Sequence, residues 1–233
     1  MNLPFFYLDC LNKKTENFVL SEETSKHIIQ VLRMKLGEKL QLTDGNGSLL
    51  TAEIIDDHKK RCAVKKTAYQ FIDYPSKEIS IAISLIKNNG RFEWFLEKAT
   101  EIGVKNIYPT LCDRTEKQQF KHERMNSILI SAMLQSKQVW LPVLHEPIAY
   151  QQLLNNASQK NKYIAHCEED TEKNKIETHS NQNSCLMLIG PEGDFTIDEI
   201  VLAKDKNFKP VTLGNNRLRT ETAGIVALTL LNQ

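Results

Sequence analysis

The chain has 233 residues, 41% apolar and 25% charged, which is the balance of a folded globular protein and excludes a disordered or fibrous chain. Lys and Arg number 30 against 29 Asp and Glu, so the formal net charge of +1 excludes a strongly basic nucleic-acid binder and leaves room only for a local basic patch. The 5 cysteines, at positions 10, 62, 112, 167 and 185, are odd in number and form no C-x-x-C pair; reduced thiols are expected, with neither a disulfide framework nor a metal site.

Met1 to Lys14 has Asp9 inside its apolar run and no basic residue before it, unlike a secretory signal. No apolar stretch approaches the length of a membrane span, so a cytoplasmic protein without a membrane partner is expected. Phe5 to Leu8 suits a short strand. Ser21 can cap a helix, with Glu22 and Glu23 in the first turn where the dipole favours acids. Thr24, Ile28, Val31 and Leu32 form its face, and Gly37 stops it. Lys39 to Thr43 alternates, Asp44-Gly45-Asn46-Gly47 supplies a tight turn, and Leu49 to Ile55 returns as the partner strand. Cys62 to Thr67 is a further strand. Residues 1–72 thus read as a small β-barrel with one helix.

Asp73-Tyr74-Pro75-Ser76 reads as a linker, and residues 73–233 follow another rhythm. Ile79 to Ile86 is a near-continuous apolar strand of the kind covered on both faces in a parallel sheet. Phe92, Phe95, Leu96, Ala99 and Ile102 recur at helical spacing before Gly103. Asn106 to Leu111 is a strand, and Met125, Ile128, Leu129, Ala132 and Met133 mark a helix. Tyr163 to Cys167 is a strand, and Glu168 to Ser184 is a polar surface loop. Leu186 to Ile189 is a short buried strand. Thr196 caps a helix, with Glu199 in the capping-box position. Val211 to Leu213 is the last strand. Thr220 to Leu231 is a helix apolar nearly all round, and hence buried. This alternation predicts an α/β domain with a mainly parallel sheet.

Two segments concentrate chemistry. Ile189-Gly190-Pro191-Glu192-Gly193-Asp194-Phe195 leaves a buried strand and enters a capped helix, where glycines let a ligand approach the main chain. A plain strand-to-helix turn is the alternative. Leu213-Gly214-Asn215-Asn216-Arg217-Leu218-Arg219-Thr220-Glu221-Thr222-Ala223 places two arginines, a carboxylate and two hydroxyls at the start of a buried helix. Thr220 as cap, Glu221 as a dipole partner and solvated arginines would account for each residue singly.

Together these segments resemble the G-P-E-G-G-[FL] and L-G-x-x-I-L-R-x-E-T-A motifs of bacterial 16S ribosomal RNA uracil-N3 methyltransferases, of the SPOUT class of knotted S-adenosylmethionine (SAM) enzymes. His27 to Arg33 with Gly37 is similar to the family's H-x-x-x-V-L-R motif, Asp44 to Gly47 to its hairpin, Glu97 to Val104 to its K-A-T-E-L-G-V helix, and Ala132 to Pro142 to its A-x-x-Q-S-x-R…P stretch. Asp194 stands where the family usually has a second glycine, Arg217 where it has an apolar residue, and Gln138 where it often has arginine.

The resemblance implies a PUA-like β-barrel at 1–72 for RNA binding and a SPOUT domain at 73–233 with a C-terminal trefoil knot. It implies SAM as co-substrate, a homodimer, and 16S ribosomal RNA in the assembled small subunit as partner. Ile189, Gly190, Pro191, Glu192, Gly193, Leu213, Gly214, Leu218, Thr220 and Ala223 become cofactor-binding candidates, with Glu192 either on the SAM amino group or holding its loop. Arg219 is the candidate stabiliser of the uracil anion, because a guanidinium fork matches a carbonyl–N3 edge. Glu221 is the candidate general base, or else a cap or a partner of Arg219. Arg33, Lys35 and Arg114 are candidates for RNA phosphate, with solvated charge as the alternative. Lys98 and Glu101 are expected to pair, His27 to be structural, and Trp94 and Trp140 to pack. Exposed helix faces of the Phe92 and Phe95 type would find burial in the dimer. Methylation of another RNA, or a non-catalytic assembly factor, remain the competing functions.

Overall fold

The computed structural model describes residues 3–9, 11–116, 119–168, 173–176 and 184–233. By contacts the chain divides into two units, Met1–Tyr74 with Met133–Leu141, and Pro75–Ala132 with Pro142–Gln233. The segment Met133–Leu141 lies within the 73–233 stretch of the sequence reading and groups by its contacts with the first unit. Specific contacts account for this. The Trp140 indole N–H donates to the Ile72 carbonyl at 2.9 Å, and the Leu141 N–H donates to the Gly45 carbonyl at 2.9 Å. The Trp140 ring packs edge-on against Phe71 and Tyr74, which makes it the packing residue expected.

The first unit contains β1 (Phe5–Tyr7), β2 (Asn17–Val19), α1 (Glu22–Lys26), β3 (Lys39–Thr43), β4 (Ser48–Asp56) and β5 (Ala63–Phe71). These strands form one five-stranded sheet in the order β1-β3-β4-β5-β2. On β4 the residues Leu50, Ala52 and Ile54 alternate inward, as a period of two requires, and join Phe6, Phe18, Leu40, Leu42 and Val64 in a single core. Each such buried aliphatic side chain contributes about 1.5–3 kcal/mol. Ser21 caps α1 as expected, its Oγ accepting from the Thr24 N–H at 3.2 Å. The expected face of that helix is not formed. His27–Val31 is a π-helical turn, and the Leu32 N–H reaches back to the His27 carbonyl at 2.9 Å. That extra residue in the turn rotates the following side chains, so Ile28 is buried while Val31 and Leu32 face solvent. His27 lies edge-on to Phe6, a packing role.

The second unit contains β6 (Glu78–Ser84), α2 (Asn89–Ile102), β7 (Asn106–Leu111), α3 (His122–Gln135, whose last turn from Met133 groups with the first unit), β8 (Val143–Leu144), β9 (Ile148–Ala149) and α4 (Tyr150–Asn156). It continues with β10 (Asn161–Ala165), β11 (Ser184–Ile189), α5 (Ile197–Asp205), β12 (Lys209–Val211) and α6 (Thr220–Leu231). Its seven-stranded sheet runs β12-β10-β11-β6-β7-β8, with β9 also on β7, and every pairing is parallel. The last strand ends at Val211, earlier than expected, because Thr212 leaves the sheet: its hydroxyl donates to the Gly214 carbonyl at 3.1 Å. Of the polar loop expected at Glu168 to Ser184, residues 169–172 and 177–183 lie outside the described residues. Among the described residues no helix is long and apolar enough to cross a membrane.

Helix α2 begins at Asn88, whose Oδ1 accepts from the Arg91 N–H at 3.3 Å, and ends at Gly103 in the left-handed conformation. On its surface Lys98 binds both Glu97 at 2.8 Å and Glu101 at 2.9 Å, the latter pair as expected. Its Phe92 and Phe95 are 2% and 0% exposed, so they need no second subunit for burial. Helix α6 covers that face. A Cβ on Gly224 would lie 2.6 Å from the Phe95 ring, a separation only glycine permits. Trp94, expected to pack, is 43% exposed because it points to the other side of the same helix. Helix α6 buries one stripe, Gly224, Ala227, Leu228 and Leu231, and not its whole circumference.

Candidate active site

Strands β12, β10 and β11 are neighbours in the sheet, and the loops at their carboxyl ends converge on one cleft of about 790 Å³. His166 and Cys167 line it after β10; Gly190, Pro191, Glu192 and Asp194 after β11; Thr212 to Arg219 after β12. Thr220 and Ala223 close it from α6, and Arg91 from α2. This is the end of a parallel sheet at which ligands bind.

Ten of the predicted site residues line the cleft: Ile189, Gly190, Pro191, Glu192, Leu213, Gly214, Leu218, Arg219, Thr220 and Ala223. Gly193 does not. Its carbonyl accepts from the Arg114 guanidinium at 2.7 Å, and the same nitrogen reaches the Phe195 carbonyl at 3.4 Å. Arg114, a phosphate candidate from sequence, thus braces the loop after β11. Glu192 also holds its loop, accepting from the Lys87 N–H at 3.2 Å. Asp194 takes the left-handed conformation, with φ 63, that the expected glycine would favour. Its Oδ2 accepts from the Cys167 N–H at 2.7 Å and its Oδ1 from the Phe195 N–H at 2.9 Å. The aspartate therefore keeps the turn and adds two bonds. The capping box of α5 is present: Thr196 and Glu199 exchange side-chain and backbone bonds at its start.

Thr220 is not the cap of α6. The helix starts at Thr220 itself, and Arg219 occupies the cap position without a side-chain bond to the helix. The Arg219 guanidinium is thereby left to the cleft. Glu221 is absent from the cleft wall. It is 6% exposed, and its Oε1 lies 3.7 Å from Arg91 Nε. Its ion-pair partner is Arg91, where the sequence suggested Arg219. Arg33 and Lys35 belong to the first unit; Arg33 has φ 55, and the Lys35 N–H is bonded to Glu38 at 2.7 Å.

Sequence reasoning missed Arg91, His166, Cys167, Lys173 and the lining role of Arg217. The position of His166 just beyond the carboxyl end of β10 was the available signal; Arg91 comes from the first turn of α2, the helix that follows β6. His166 is 8% exposed, and neither ring nitrogen has a hydrogen-bond partner among the described residues. Burial first, then the Lys173 charge, holds its pKa below the ordinary imidazole value.

The cleft fits SAM. Its volume lies within the range of small-molecule sites, and it combines an apolar wall of Ile189, Leu213, Leu218 and Ala223 with polar groups and open main chain. At Gly214, φ is +134 and a Cβ would meet nothing within 4 Å, so bare backbone faces free space there.

Comparison with known proteins gives the same assignment. The RNA methyltransferase domain family matches residues 73–232, and the RNA methyltransferase PUA domain family matches residues 20–67. The chain is 30% identical over 213 residues to Ribosomal RNA small subunit methyltransferase E of Synechocystis sp., covering 88% of this chain and 70% of that one. Among solved structures, a probable rRNA-methyltransferase from Porphyromonas gingivalis superposes with a TM-score of 0.89 at 37% identity, over 97% of this chain and 96% of that one. Ribosomal RNA small subunit methyltransferase E from Neisseria gonorrhoeae, solved bound to S-adenosyl methionine, superposes with a TM-score of 0.87 at 28% identity, over 98% and 96%. With one family spanning the parallel-sheet unit, a second lying on the sheet that precedes it, and relatives matched along almost the whole chain, this protein belongs to the ribosomal RNA small subunit methyltransferase E family of RNA methyltransferases.

Proposed function

We propose that this chain transfers the methyl group of SAM to N3 of a uridine in 16S ribosomal RNA, acting as a homodimer on the assembled small subunit. The observation that carries this reading is the cleft itself: three loops from adjacent parallel strands, with Arg219 at its edge and no side-chain bond tying it to its helix. SAM, when bound, supplies a methyl group already activated by its sulfonium. The protein's remaining tasks are placement of the two reactants and help for a nitrogen that must lose its proton. Placement alone is worth about 7–11 kcal/mol of the barrier. Arg219 meets the carbonyl–N3 edge and favours its negative charge as the N3 proton passes to water. Since N3 lies on the Watson–Crick edge, the base must be unpaired or flipped out to reach the cleft.

The small net charge of +1 favours a shaped target over naked RNA, because sequence-independent phosphate attraction is weak. The half-exposed Trp94 on α2 offers apolar surface for a subunit contact. Arg33 and Lys35 serve RNA phosphate in this reading, and a C-terminal trefoil knot of the SPOUT type accompanies it. The experiment is nucleoside mapping of 16S ribosomal RNA from cells lacking the gene. Loss of one 3-methyluridine, restored by the wild-type gene and not by Arg219→Ala, is the expected result; an unchanged nucleoside profile would exclude the function. Methylation in vitro should favour the small subunit over protein-free RNA at equal salt, and light scattering should show a dimer.

A further inference from the structure

We propose that the His166 imidazole is a hydrogen-bonding contact of the adenosine half of the cofactor, a positioning group outside the two loop motifs. The proposal rests on the reading that SAM occupies this cleft. His166 is the first residue after β10 and lines the cleft. It is 8% exposed, and both Nδ1 and Nε2 are shielded from water with no hydrogen-bond partner among the described residues. Buried polar groups in proteins are nearly always bonded, so an imidazole with two unmade bonds in a ligand cleft marks a missing partner. The adjacent polar groups are committed elsewhere. The Cys167 N–H is taken by Asp194, whose other oxygen holds the Phe195 N–H.

The charge state of the ring selects the half of the ligand. Burial lowers the His166 pKa most, and Lys173 and Lys204 act in the same direction; Asp194 and Glu168 oppose them. The ring is neutral near pH 8, with one donor and one acceptor. Adenosine presents neutral donors and acceptors, namely its ribose hydroxyls, ring nitrogens and amino group. The methionine half ends in an ammonium and a carboxylate, for which the cleft has Glu192, Arg91 and Arg217. Protonation of His166 removes the acceptor and sets a cation near a cationic ligand. Affinity is therefore present above the imidazole pKa and lost as pH falls through it, by up to about tenfold per pH unit.

The test is calorimetry of SAM and of 5′-methylthioadenosine, which lacks the amino-acid end, on the whole protein and on His166→Ala, His166→Asn and His166→Gln. At pH 8 the Ala variant should bind both ligands about tenfold more weakly, the scale of one lost hydrogen bond. Either Asn or Gln, whose amides stand near the Nδ1 and Nε2 positions, should recover most of that loss. The acid-side weakening seen in the wild type should be absent from all three variants. An Ala variant of unchanged melting temperature with wild-type affinities overturns the proposal. So does weakened SAM binding with unchanged binding of 5′-methylthioadenosine. If the Ala variant melts lower, the pH slope decides through the other two, and its persistence in both overturns the contact. A wild type that binds no SAM removes the underlying reading, and the contact with it.

Discussion

Asp194 Oδ2 accepts the Cys167 N–H at 2.7 Å, so the loop after β11 is fastened to the end of β10 at the wall of the cleft. A glycine here would satisfy the left-handed backbone but could not make this bond. The departure from the family motif is thus compensated within the same turn.

The two Asp194 bonds set an order of stability. Asp194→Ala keeps the positive φ and loses both acceptors, so it should cost about 2 kcal/mol. Asp194→Gly relieves the backbone and should recover about 1 kcal/mol of that. Urea denaturation of the three proteins, with SAM calorimetry alongside, checks the order; an Ala variant as stable as the parent would show the bonds to be idle.

Gly214→Val should weaken SAM binding, because the new side chain enters the free space beside the bare backbone, and should lower stability by the backbone penalty of about 1–3 kcal/mol at a φ of +134. No neighbouring atom lies within 4 Å of the new Cβ, so the fold should survive. Calorimetry and a melting curve measure the two effects separately.

Arg219→Ala should lower kcat by about 10²–10³ with SAM affinity nearly unchanged, since its charge serves the transition state. Arg219→Lys keeps the charge without the planar fork and should fall between. Wild-type turnover in a stable Ala variant would exclude a catalytic role.

Glu221→Gln distinguishes a base from a brace. Its carboxylate is buried against Arg91 and away from the cleft wall. The variant should lose about 1–2 kcal/mol of stability and keep kcat within about tenfold, with an unshifted pH profile. A general base would forfeit about 10²–10⁴ and reshape that profile, which pH-dependent single-turnover rates would reveal.

Most of the fold was legible because its signals are local. Lys39–Thr43, Asn106–Leu111 and Thr220–Leu231 form where alternation, β-branching and apolar content place them. What sequence did not disclose depends on neighbours. Val143–Leu144 and Ile148–Ala149 are too short to carry a pattern and exist as strands because β7 pairs with them. The face of the first helix failed because a π-helical turn breaks the 3.6-residue period. Phe92 and Phe95 read as a surface needing a partner, since nothing in their own segment tells that Gly224 brings a second helix against them.

The site divides in the same way. Most residues of the two loop motifs line the cleft, because strand–loop–helix junctions can be read directly. Arg91, His166 and Lys173 come from segments without a motif and meet only through the order of the sheet. Glu221 sits inside a motif but is turned by the helix toward Arg91, a partner far away in sequence.

The pairing of β6 bears on how the chain folds. Ile81 meets Ile107 on one side soon after both are made, whereas its other neighbour, Met187, is far along the chain. During synthesis the central apolar strand has one edge unpaired until Ser184–Ile189 arrive. An open edge of that composition invites pairing with other chains. Closing it requires a long-range parallel contact, a slow step. The candidate cleft is lined largely by residues that follow that contact, so a nascent chain short of Ser184–Ile189 has an apolar strand edge exposed and an incomplete cleft.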